Sequence, residues 1–228
     1  MTDRERVRGV RQRLRRDGPQ WTRSATDFRT VTLPDGDCDL LRDLLVAAGA
    51  TTVVEIGLAY GSSALAIGEA LAAQGTARHV IVDPFQDSAF SDAGWAALCE
   101  AGLDAIAELV REWSSIALPR LVSEGIVADA AFVDGSHRFH EVFVDLYFLR
   151  KLVRPGGLVV LDDQWAPSVS TAARYFERNL GWERVSDAFA GGSTRRAGDD
   201  PSADLVPRCV AYRMPEPSEP AFTDFRPF

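Results

Sequence analysis

Ala130-Ala131-Phe132-Val133-Asp134-Gly135-Ser136-His137 and Leu158-Val159-Val160-Leu161-Asp162-Asp163 are two apolar runs that end in carboxylates. Short unbroken runs of this kind mark strands buried on both faces. Between them, Phe139, Val142, Phe143, Leu146, Leu149 and Leu152 recur at helical spacing, and Pro155-Gly156-Gly157 predicts a turn. A strand, helix and strand joined by a right-handed crossover put both strand ends on one edge of a parallel sheet. Asp134, His137, Asp162 and Asp163 are therefore expected at one rim. Carboxylates crowded together call for a counter-charge, and a divalent cation is the natural candidate.

The alternation continues on both sides of this unit. Strands are predicted at 52–56, 79–82, 107–112, 129–134 and 157–162. Helices are predicted at 37–48, 62 to about 74, 95–102, 116–124, 138–153 and 168–180. Residues 182–189 and 208–213 read as two more strands with no helix between them, and 190–207, rich in Gly, Ser, Asp and Pro, as a flexible loop. The fold class is α/β: a Rossmann-like, doubly wound, seven-stranded sheet, mostly parallel, with an antiparallel C-terminal strand pair. Residues 17–36 read as irregular. The segment 1–36 is expected to be a helical and irregular cap or partner contact, and 37–228 the main domain. Seven arginines fall within 3–16, with Val7, Val10 and Leu14 at helical spacing. This predicts a solvated helix packed on one apolar stripe.

Bulk properties narrow the classes of function. The 228 residues are 46% hydrophobic and 25% charged, with net charge −8. That acidity argues against the protein as a whole being a nucleic-acid binder. No apolar run reaches the roughly 20 residues that span a membrane. The N-terminus is polar, and Cys38, Cys99 and Cys209 are scattered without metal or disulfide spacing, so a reducing cytoplasm is expected. Lys151 is the sole lysine, which leaves the rim without a lysine base.

Glu55-Ile56-Gly57-Leu58-Ala59-Tyr60-Gly61-Ser62-Ser63 joins the first strand to the next helix. Gly57 permits a tight turn, Gly61 a close helix start, and Ser62 or Ser63 can cap the helix. The open N–H groups of that helix suit an anion. The spacing G-x-x-x-G is neither the dinucleotide fingerprint nor a Walker motif. Asp83, ending the second strand, stands where an acid accepts hydrogen bonds from ribose; its plainer reading is an Asx turn before Pro84.

These motifs resemble those of the class I S-adenosylmethionine-dependent methyltransferases, over roughly residues 37–185. The glycine loop, the segment Trp113-Ser114-Ser115 with Leu118-Pro119 and Leu121, and the acids Asp134 and Asp162-Asp163 are similar to the metal-dependent O-methyltransferases of catechol and caffeoyl-CoA type. Asp134-Gly135-Ser136-His137 is closer still to bacterial relatives that methylate hydroxyls of antibiotics and sugars. The resemblance implies S-adenosylmethionine held by Glu55, Gly57, Tyr60, Gly61, Ser63, Asp83, Ser114, Ser115 and Asp134. It implies Mg²⁺, or another divalent cation such as Mn²⁺, on Asp134, Asp162 and Asp163. The acceptor would be a small hydroxylated molecule of secondary metabolism, and the protein a homodimer. In the catechol-type enzymes a lysine stands where this chain has His137. His137 is thus expected as catalytic base, with a role as metal ligand left open. The alternatives are a metal-independent methyltransferase with His137 as base, and a non-catalytic S-adenosylmethionine-binding partner protein. The net acidity leaves RNA methylation through the Arg-rich N-terminus a poor alternative. Trp165 is either a substrate wall or structural, and His140 a surface residue.

Overall fold

The computed structural model describes residues 2–20, 26–72, 76–198 and 202–228. The chain divides into two compact units, Met1–Ser114 and Ser115–Phe228.

In the first unit α1 (Asp3–Asp17), α2 (Phe28–Val31) and α3 (Asp35–Ala47) precede β1 (Thr52–Ile56), α4 (Ser62–Leu71), β2 (Arg78–Val82), α5 (Ala93–Ala101) and β3 (Ala107–Val110). The three strands are parallel with β2 central. Val53, Val54, Val80 and Ile81 are wholly buried, as strands covered on both faces require. Val7, Val10 and Leu14 of α1 pack into the same core as Leu58, Leu65, Ile81 and Leu98. The arginine face of α1 is only partly solvated: Arg8 and Arg11 bind the buried Glu69 at 2.8 and 3.2 Å. A buried carboxylate needs paired donors, and these two arginines serve that need, with Arg4 3.9 Å away.

In the second unit follow α6 (Ser114–Ser123, opening at the boundary), β4 (Ala128–Val133), α7 (Phe139–Leu152), β5 (Val153–Leu161), α8 (Pro167–Leu180), β6 (Glu183–Arg184), β7 (Thr194–Arg196), β8 (Leu205–Pro207) and β9 (Val210–Arg213). β4 and β5 are parallel, and β9 is antiparallel to both β5 and β6. The strand order is β3-β2-β1-β4-β5-β9-β6, the expected seven-stranded mixed sheet with its antiparallel C-terminal strands. Among the described residues no helix is long and apolar enough to cross a membrane.

Several expectations are corrected. Within 17–36 the short α2 forms, capped by Asp27, and α3 begins at Asp35; residues 21–25 lie outside the described residues. α4 ends at Leu71, and the predicted end near 74 also lies outside them. Pro155-Gly156-Gly157 is not a free turn but part of β5, in a register shift against β4. Gly157 is required there, because a Cβ would come 2.6 Å from the Asp129 carbonyl oxygen. The predicted strand at 182–189 shrinks to Glu183–Arg184, since tight turns follow it, with Asp187 at φ 61°. The loop 190–207 contains the hairpin β7–β8, apart from residues 199–201, which are outside the described residues.

Candidate active site

The glycine loop belongs to the first unit. Gly57 and Gly61 both take positive φ, 95° and 85°. Gly61, not a serine, is the N-cap of α4, and no side chain caps that helix. Its first-turn N–H groups thus remain open to an anion. Ser63 instead donates to the buried Glu55 at 2.5 Å, and His79 Nε2 lies 2.8 Å from the other Glu55 oxygen without a hydrogen bond between them. Glu55 is therefore engaged from within the fold through one oxygen. Asp83 accepts from the backbone N–H groups of Leu58 (3.0 Å) and Ala59 (3.1 Å) and from Gln86 (2.9 Å), all on one oxygen. Its second oxygen accepts from Phe85 N–H at 2.8 Å, the Asx turn weighed above. Asp83 thus shapes the glycine loop. The Tyr60 ring is buried between Phe28 and Phe90, and its hydroxyl donates to the Thr26 carbonyl at 2.6 Å. Ser114 opens α6 and is partly exposed; Ser115 is exposed.

The acidic rim belongs to the second unit. Asp134 and His137 follow β4, and Asp162 and Asp163 follow β5. One ligand atom from each of Asp134, His137 and Asp163 lies within 4.8 Å of the others. Neither aspartate caps a helix: Arg138 and Ala166 are the N-caps of α7 and α8. His137 Nε2 bonds one Asp163 oxygen, and Trp165 Nε1 donates to the other at 2.5 Å. Asp163 sits at φ 52°, a left-handed conformation costly for a residue with a Cβ. His140 is exposed, 3.9 Å from Glu141, and is a surface residue.

Asp162 does not join this group. Arg208 donates to both of its oxygens, Nε at 2.9 and 3.0 Å and Nη2 at 2.7 Å, and Cys209 Sγ lies 3.1 Å away. The Asp162 side chain is wholly buried beneath them. A cation on all three aspartates would have to displace a guanidinium, leaving that charge buried without a partner. The set that fits a divalent cation is Asp134, His137 and Asp163.

The electrostatics follow from these contacts. The Asp163 carboxylate raises the His137 imidazole above its ordinary value, outweighing the cost of burial. Burial pushes Asp163 up, but His137, Arg208 and Trp165 together bring it below the usual carboxylate value. Burial opposes the charge on Arg208, yet its bonds to Asp162 hold it well above an ordinary arginine.

Arg208 was not foreseen from the sequence, although a signal exists. An antiparallel strand brings its start to the rim where its neighbour ends. Val210 pairs Leu161, which sets Arg208 beside the aspartates.

The chain matches the family model described as a methyltransferase domain over residues 54–164. The O-methyltransferase TomG from Streptomyces achromogenes, involved in tomaymycin synthesis and solved in complex with SAM, is similar in structure. It shares 20% identity, at TM-score 0.64, over 92% of this chain and 90% of that one. An O-methyltransferase from Bacillus cereus in complex with SAH shares 16% identity at TM-score 0.63, over 92% and 90%. A putative O-methyltransferase from Klebsiella pneumoniae shares 17% at TM-score 0.60, over 93% and 90%. At such identities these likenesses establish the fold. No curated protein matches the sequence.

Proposed function

We propose that the chain, a class I S-adenosylmethionine-dependent methyltransferase in family and fold, methylates a hydroxyl of a small molecule. The observation that carries this reading is the convergence of Asp134, His137 and Asp163 at the ends of β4 and β5. A hydroxyl is a poor nucleophile until it loses its proton, and this group has the chemistry to remove it. Asp163 holds His137 by Nε2. With the proton on Nε2, the Nδ1 atom is the acceptor for the hydroxyl proton. The oxygen–methyl bond forms as the sulfur–methyl bond breaks, and the hydroxyl proton ends on His137. Asp163 then faces an imidazolium and stabilises it.

The open N–H groups of α4 support an anion of the cofactor at the glycine loop, and Gly57, Gly61 and Ser63 are assigned to that half. Glu55, Tyr60 and Asp83 act there by shaping the loop, through Ser63, Thr26 and the Leu58 and Ala59 amides. A divalent cation held by Asp134, His137 and Asp163 would supply Lewis-acid polarisation of the acceptor oxygen, and His137, with its one lone pair on the ion, would then be a ligand and not the proton acceptor. Two carboxylates and an imidazole suit Mn²⁺ at least as well as Mg²⁺. One observation favours a metal-independent second reading: Arg208 already neutralises Asp162. The two part on one assay. Turnover lost in chelator and restored by Mn²⁺ or Mg²⁺ is expected of the metal-assisted reading, and full turnover in excess chelator assigns the work to His137 alone.

A further inference from the structure

The hairpin β7–β8 is tied to the loop that carries the acids. Gly198 N–H donates to the Trp165 carbonyl at 2.8 Å, Arg208 N–H to the Ser193 carbonyl at 2.9 Å, and Gln164 N–H to the Arg208 carbonyl at 2.9 Å. In the hairpin Arg195 pairs Val206, between Thr194 opposite Pro207 and Arg196 opposite Leu205. Strand alternation turns Arg195 to the opposite face from its two neighbours. On that face its guanidinium stacks over the Trp165 ring, 4.0 Å from the centroid. The same indole donates to Asp163. One aromatic ring therefore separates a fixed cation from the groups that activate the acceptor.

The other arginines around the rim are already occupied. Arg208 is bound to Asp162, Arg138 lies 3.5 Å from Glu141, and Arg196 donates to the Ala203 carbonyl at 2.7 Å. Arg195 is exposed and has no carboxylate or carbonyl partner among the described residues. Stacking holds the guanidinium plane and leaves its N–H groups pointing outward in that plane. This is the donor fork that matches a carboxylate, and it is pre-ordered, so little side-chain entropy is lost on binding. A cluster of aspartates would otherwise repel an anionic substrate, and a cation with no carboxylate partner among the described residues offsets that repulsion.

We infer that Arg195, held by Trp165, is a specificity-determining residue that selects an acceptor carrying a carboxylate in addition to its hydroxyl. This inference rests on the methyl-transfer reading above. The test uses the full chain with S-adenosylmethionine and pairs of hydroxylated aromatic acids and their methyl esters, on wild type, Arg195→Ala and Arg195→Lys. Wild type should favour the acids by about tenfold or more in kcat/KM, the scale of one charge-assisted contact. Arg195→Ala should lose that preference through KM with kcat little changed, leave the esters unaffected, and be partly rescued by Arg195→Lys. Equal use of acids and esters by wild type, or an equal loss on both in Arg195→Ala, overturns the inference. Calorimetric titration of acid and ester with S-adenosylhomocysteine present gives a readout independent of turnover. Tighter binding of the acid that Arg195→Ala abolishes supports Arg195 even where no pair is methylated, an outcome that would instead count against the methyl-transfer reading. Binding of neither acid nor ester overturns the role of Arg195.

Discussion

Asp162 and Asp163 are adjacent in sequence and opposite in role. Asp162 is sealed under Arg208, with no side-chain exposure, whereas Asp163 faces His137 and Trp165. The positive φ of Asp163 is the backbone reason: a left-handed residue turns its side chain away from the direction its neighbour takes. The sequence showed the two acids and could not show this split, because the residue that makes it is 46 positions away, in the bend between β8 and β9. Removing Arg208 leaves a buried carboxylate unpaired. Arg208→Met should cost about 3–5 kcal/mol, whereas Asp162→Asn combined with Arg208→Met should recover most of it. Chemical denaturation of the single and double variants measures this. Equal destabilisation in both would mean that the ion pair is not what Arg208 provides.

The elements most legible in the sequence were those with an unambiguous period. β1 was predicted with its observed bounds, and α7 and α8 within a residue or two, because their apolar spacing leaves one reading. The elements lost were those made by partners rather than by pattern. β6 is two residues long, and β7 and β8 are three residues each and pair only with each other, too short to show a period. The glycine loop lies between these extremes: its position was legible, its partners were not. A Cβ on Gly61 would lie 3.1 Å from the Gly94 carbonyl oxygen, so the loop rests directly on the start of α5. Gly61→Ala should cost about 1–2 kcal/mol from its positive φ alone and more from this contact. It should also weaken S-adenosylmethionine binding, read by calorimetry. An unchanged melting temperature together with unchanged cofactor affinity would show that this contact does not shape the loop.

For the molecule as a whole, the net charge of −8 hides a strong internal pairing of opposite charges. The N-terminal helix places arginines on Glu69 while its apolar stripe enters the core of the first unit. The site follows the same principle. Acids gather at the rim because Arg208, His137 and Trp165 satisfy them, and His137 gains basicity from that company. The central claim is that His137, grouped with Asp134 and Asp163, activates an acceptor hydroxyl and does not hold the methyl donor. The most direct test measures, on the same His137→Ala protein, S-adenosylmethionine affinity by calorimetry and transfer of a labelled methyl group to hydroxylated acceptors. Affinity should stay within about twofold of wild type while transfer falls by at least about 100-fold, the usual contribution of a general base. Transfer at the wild-type rate, or a loss of transfer accounted for by lost cofactor binding, would contradict the claim.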